Sequence, residues 1–202
     1  MVKSPQTLSE ANRRLVAAWA ADCAERVLLL FEAESPADDR PRAAIARTRA
    51  FARGDLNTAE EIRRRFLGGV PTGEVKAPTA AAAARAAGQA VAICHMGAHA
   101  LGAAAYAVKA ASLAAPDRPD VVDDEIRWQL AHMTAEVRAA LRALPRVGEN
   151  SSGPLGPGLL ASGQLGAIIR DLQVGLAESD PPGPESTQPI SAADHYGRPP
   201  AC

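Results

Sequence analysis

The chain has 202 residues, and its 22 Lys+Arg and 23 Asp+Glu leave a formal net charge of −1. That balance provides no global attraction to nucleic acid or to an anionic membrane. Hydrophobic residues make up 47% but aromatics only 3%, so the apolar mass is Ala, Leu and Val, which points to close-packed helices rather than a sheet.

Residues 9 to 33, "SEANRRLVAAWAADCAERVLLLFEA", predict a helix with Ser9 as its N-cap. Leu15, Trp19, Cys23, Val27 and Leu30 share one face, and Asp22 and Arg26 stand four apart, where they can pair. "ESPADDRPR" breaks this helix. Asp38 or Asp39 caps the next one, 41 to 53, with Pro41 in its first turn and Gly54 at its end. "DLNTAEEIRRRFL", 55 to 67, predicts a short third helix capped by Asn57 or Thr58, followed by a Gly/Pro loop over 68 to 79. An Ala-rich helical region runs from Thr79 to about Ala115. It is long for one globular helix, and Gly97 is the expected break or kink. Val122, Ile126, Leu130, Met133, Val137, Leu141 and Leu144 mark a last helix over 120 to 144, stopped by Pro145.

The fold class expected is therefore all-α, a single-domain bundle of about five to six helices over 9–147. Residues 150 to 202 hold 8 of the 16 Gly and 8 of the 16 Pro, so 148–202 reads as a low-complexity, disordered tail. Only 159 to 177 has the pattern of a transient or docked helix. Cys23, Cys94 and Cys202 are widely spaced without a CxxC, as in the reduced thiols of a cytoplasmic protein, and "MVKSPQTLSEANRR" is not a secretory signal. The uncharged span between Arg85 and Lys109 has the length to cross a bilayer, but its Ala, Gly and His content argues against insertion.

Chemistry centres on "ICHMGAHALGAAAYAVKAA", 93 to 111. His95 and His99 at i and i+4 share a face on an unbroken helix, a spacing that can hold zinc. A third ligand would have to come from His132, Glu125 or Asp22, no acid lies between the histidines, and Gly97 spoils the shared face. Structural histidines are the stronger reading. Cys94 and His95, adjacent in sequence, do not face each other as a thiolate pair on a helix. "GGVPTG" lacks the GK[ST] ending of a phosphate loop, and "RRRF" is one basic cluster without a wider stripe. Gly88, Ala92, Ala98, Gly102, Ala105 and Ala110 form a seam that lets helix backbones approach. Tyr106 and Lys109 sit one turn apart within it.

Three blocks together resemble a known bacterial family: "AAWAADCAERVLLLFE" at 17 to 32, "DDRPR" at 38 to 42 before an Ala-rich helix ending "ARG", and "AARAAGQAVAICHMGAHALGAAAYAVKA" at 83 to 110. They are similar to the immunity proteins of polymorphic toxin systems, the immunity protein 5-like domain. The resemblance covers about residues 11 to 145. It departs at 60 to 78, at Phe51 where the family often has Trp, and after 149. It implies an all-helical fold and an antitoxin role, protection of the producing cell by binding a cognate protein toxin encoded by a neighbouring gene. The positions matching its motifs, and so the expected binding residues, are Trp19, Asp22, Glu25, Asp39, Arg40, Arg42, His95, His99, Tyr106 and Lys109. An Arg40 or Arg42 clamp on Asp22 or Glu25, with the histidines completing a polar cluster at one end of the bundle, links the blocks physically. No catalytic residue, cofactor, metal, nucleic acid or membrane partner is expected. The alternatives are a small metal-binding protein or enzyme using His95 and His99, and a homo-oligomer formed through the Ala/Gly face.

Overall fold

A computed structural model describes residues 4–64 and 75–178. The expected loop over 68 to 79 and the end of the third helix fall largely on 65–74, outside the described residues, as do residues 179–202 of the expected tail. Among the described residues the structure is all-helical: α1 (Glu10–Arg26), α2 (Leu28–Glu32), α3 (Arg40–Arg53), α4 (Thr58–Arg64), α5 (Pro78–Ala92), α6 (His99–Ala114), α7 (Val121–Ala131), α8 (Ala135–Arg142) and α9 (Gly163–Glu178). Short 3-10 turns precede α1 at Pro5–Thr7 and α9 at Leu159–Ala161.

The local signals for helix ends are obeyed. Ser9 Oγ accepts the Asn12 N–H at 3.1 Å, and Asn57 Oδ1 takes the Ala59 N–H at 3.0 Å. Asp39 holds the N-cap position of α3 without a side-chain bond, and the preceding Asp38 accepts the Arg40 N–H on its Oδ1 at 3.1 Å. Gly54 closes α3 with φ +88°, a left-handed turn that residues with a Cβ rarely adopt.

The faces are where expectation and structure part. The predicted stripe on α1 includes Leu15, which is 38% exposed. The buried set is broader and smaller: Val16, Ala17, Trp19, Ala20, Ala21, Cys23 and Ala24. Alanines allow several helices to crowd round one, so α1 packs on α3, α5, α6 and α8. The same logic centres the bundle on α6, where every residue from Ala100 to Val108 is buried. Gly102 is required there: a Cβ would lie 2.4 Å from Gln89 Oε1 on α5 and 2.9 Å from Leu160 Cδ1.

The helix expected over 120 to 144 is two helices. Thr134 caps the second, accepting the Val137 N–H at 3.3 Å. Side chains add bonds to the last carbonyls of α7, two of which also accept backbone N–H groups of the turn. Trp19 Nε1 donates to Gln129 O at 3.0 Å, Arg138 donates to Leu130 O, and His132 Nδ1 lies 2.8 Å from Trp128 O.

The largest correction concerns the tail. Disorder from 148 onward does not describe residues 148–178. Leu165, Ile168, Ile169, Leu172 and Leu176 recur at helical spacing on α9 and are buried against α6, α7 and α8. Gln173 secures the preceding chain, donating to Pro145 O at 3.0 Å and accepting the Val147 N–H at 3.1 Å. Arg142 Nε donates to Leu176 O at 2.7 Å. Averaged Gly/Pro content conceals one amphipathic helix with a buried face. Among the described residues, no helix is long and apolar enough to cross a membrane.

Candidate functional site

The polar residues picked out by the motifs divide between two ends of α1. At its C-terminal end, α1, α2 and α3 build a charged face. Arg49 on α3 forms a fork to Asp22 Oδ1 at 2.7 Å and Glu25 Oε2 at 2.5 Å on α1. Arg42 makes a bidentate pair with Glu32 at 2.7 and 2.8 Å, and Arg40 makes one with Asp38 at 2.9 and 2.7 Å. Asp39 is exposed at the start of α3. The expected clamp on Asp22 and Glu25 therefore exists, but Arg49 supplies it, because α3 packs back along α1 and brings its last turns, not its first, to those acids. The Asp22–Arg26 pair does not form. Arg26 turns instead to Glu125 on α7, with bonds of 3.0, 3.1 and 2.9 Å.

These contacts fix the charge states. Hydrogen bonding to Arg40 holds the Asp38 carboxyl below its ordinary pKa, and the Glu32 carboxylate raises that of Arg42. Partial burial would lower the pKa of Arg49, but its bonds to Asp22 and Glu25 outweigh that and raise it. These pairs leave the side chains of the face already oriented.

Two features of this face escape motif reasoning. Leu29 is 71% exposed, one turn beyond Glu25 and one before Glu32. The Arg26 guanidinium lies 3.8 Å from the centre of the half-buried Trp128 ring, and Trp128 stacks on His132 with centroids 3.9 Å apart. Glu125, which holds Arg26, is 99 residues away in sequence, so no local spacing reveals the stack. The i, i+4 placement of Trp128 and His132 was the available hint.

The histidines lie elsewhere. His95 belongs to the turn between α5 and α6, and His99 opens α6, so they share no helix face. The turn nonetheless brings their rings to 4.9 Å. Gly97 lies in this turn without a left-handed φ. Its role is steric, since a Cβ would sit 2.5 Å from Leu8 Cδ1. The junction contacts the segment just before α1, whereas Glu32 and Arg42 follow α1. The 17 residues between span about 25 Å, so the single polar cluster expected at one end does not form.

His99 Nδ1 lies 2.8 Å from Gln89 Oε1, which fits a neutral ring donating to the amide. Burial, with His95 adding repulsion, lowers the His99 pKa from 6.5 to about 3. The unfolded chain is then protonated first. Stability is complete above about pH 6.5 and falls as the pH drops toward 3. From this group alone we expect a loss of about 2 kcal/mol at pH 5 relative to pH 8. Urea unfolding of wild type and H99N across that range checks it, and the Asn variant should show the flatter pH profile. Among the described residues, no group of three or more His, Cys, Asp or Glu is placed to hold a metal. Glu125 is engaged by Arg26, Asp22 by Arg49 and His132 by Trp128, so none of the anticipated third ligands joins the pair.

Trp19 and Tyr106 are core residues, 2% and 3% exposed. Tyr106 packs under the Arg85 guanidinium at 5.9 Å, and Lys109 is half-buried on the same helix. Of the ten matched positions, the exposed and partly exposed Asp22, Glu25, Asp39, Arg40 and Arg42 gather on one face, and the rest do not join it.

The family model described as "Imm-5 like putative immunity protein" matches residues 6–136. The chain belongs to this family. The match takes in α1 to α7 and both polar ends, and stops before α9. No curated protein and no solved structure matches the chain.

Proposed function

We propose that this immunity-family chain acts in the cytoplasm by binding and occluding a cognate protein toxin encoded beside it, with the α1–α2–α3 face as its docking surface. Membership of the immunity family carries the role. The surface assignment follows from accessibility: a partner can reach Asp22, Glu25, Leu29, Asp39, Arg40 and Arg42, but not Trp19 or Tyr106. Oriented ion pairs reduce the ordering cost of association, and the exposed Leu29 and the half-buried Trp128 supply apolar and aromatic anchors of the kind that dominate interface energies. Occlusion needs no catalytic group.

The test is co-expression with the neighbouring gene product, scored by growth and by pulldown. Wild type should rescue growth. D22K/E25K/L29D should weaken binding at least about 30-fold, roughly 2 kcal/mol, with little change in thermal stability, since exposed ion pairs contribute about 0–1 kcal/mol. Absence of both rescue and capture by the wild type rejects the role. Full rescue by the triple variant places the docking surface elsewhere.

A further inference from the structure

The N-terminal segment behaves as a strap across the α5–α6 junction. Three consecutive carbonyls leave it for donors on the body of the bundle. Gln6 O accepts the Ala98 N–H at 3.0 Å, Thr7 O accepts the Gly97 N–H at 3.1 Å, and Leu8 O accepts Arg13 Nη1 at 3.0 Å. Ala98 is the N-cap of the 16-residue α6 and brings no capping side chain; the His99 and Ala100 amides bond Met96 O and Gly97 O, and the strap takes the two amides just before them.

Arg13 is the second, independent observation. It is 8% exposed, forms no ion pair among the described residues, and its buried Nε has no hydrogen-bond partner. A guanidinium presents a planar fork suited to two carboxylate oxygens, and a single neutral carbonyl leaves it under-satisfied. Glu10, Arg14 and Cys94 are the other ionisable groups acting on it.

The strap is also held under strain. Leu8 has φ 60° and ψ 166°, a region nearly restricted to glycine, at a cost of about 1–3 kcal/mol. Its anchor is the fully buried Gln6 side chain, whose Nε2 donates to Ser152 O at 2.7 Å and whose Oε1 accepts the Leu155 N–H at 2.9 Å. The anchoring loop lies beyond the family match, while the strap lies within it.

We propose that the Gly97 and Ala98 amides and the Arg13 guanidinium form a binding site for a carboxylate on an acidic peptide segment, closed here by the strap's own carbonyls and opened when Gln6 lets go. The site is separate from the charged face at the far end of α1, and it can stand or fall independently of toxin docking.

Hydrogen exchange and amide chemical shifts of the purified full chain test it, using acetate and a blocked glutamyl peptide as probes against chloride at equal ionic strength. The Leu155 amide reports strap opening, so its exchange should accelerate severalfold in acetate, and the Gly97 and Ala98 resonances should move saturably. Q6A should bind acetate about tenfold tighter, because more of the chain is open, and R13Q in the same background should lose the response. Tighter binding of the glutamyl peptide than of acetate assigns the site to a peptide segment. Equal binding overturns that assignment in favour of a small free carboxylate. Identical behaviour in acetate and chloride, or shifts that survive R13Q, overturns the site itself. If Q6A fails to fold, Leu155 exchange in the wild type decides the matter.

Discussion

A chain ending at Arg146 is expected to lose cooperative folding. The five aliphatic side chains that α9 buries contribute about 1.5–3 kcal/mol each. Together that is on the order of 10 kcal/mol, comparable to the ~5–15 kcal/mol that holds a typical domain folded. Truncation also strips Gly102 of its Leu160 neighbour, exposes the face of α6 beneath α9, and frees Gln6 from Ser152 and Leu155. Circular dichroism with thermal and urea unfolding checks this, the expected result being a broad, non-cooperative transition. A sharp transition near that of the full chain would show that α9 is an accessory. A chain ending at Glu178 is the control, since it retains every buried α9 side chain.

Replacing Trp19 with alanine is expected to cost about 3–5 kcal/mol, on the order of 10 °C in Tm for a chain of this length. Two effects combine. The ring is 2% exposed, so its removal leaves a cavity among alanines too small to fill it. Its Nε1–H is also the donor that reaches Gln129 O where α7 ends. Trp19→Phe separates them: it keeps much of the ring and loses the donor, so it should cost only about 1–3 kcal/mol. Urea midpoints of the two variants give the comparison. If both variants unfold at the wild-type midpoint, Trp19 has no structural part, and a binding role for it would have to be sought instead.

Helices, their caps and the all-α class were legible because they depend on nearby residues. Ser9, Asn57 and Gly54 act on backbone groups within a few positions, and the spacing of Val122 to Leu144 marks a buried stripe whether or not the helix is broken. The break at 132–134 was less legible, since Trp19 and Arg138 stabilise it from other helices. Residues 159 to 177 showed the pattern of a transient or docked helix, but composition averaged over the tail outweighed that single apolar face.

The candidate site was legible in its members and not in its pairings. The motifs named Asp22, Glu25, Asp39, Arg40 and Arg42. An ion pair, however, is decided by which side chains converge within about 4 Å, and that depends on how α3 lies on α1. Arg49, Arg26 with Glu125, and Leu29 carry no distinguishing local signal. The histidines show the same division. Their proximity survived the loss of the helix face that predicted it, while the lowered pKa of His99 and their remoteness from Arg40 and Arg42 follow from burial at the strap end of the bundle. What the sequence determined alone was periodicity, capping and an alanine content that permits close packing. Only the tertiary structure decided which faces are covered, which charges meet, and that a strained N-terminal strap lies over α6, because burial and long-range contact are properties of the assembled chain.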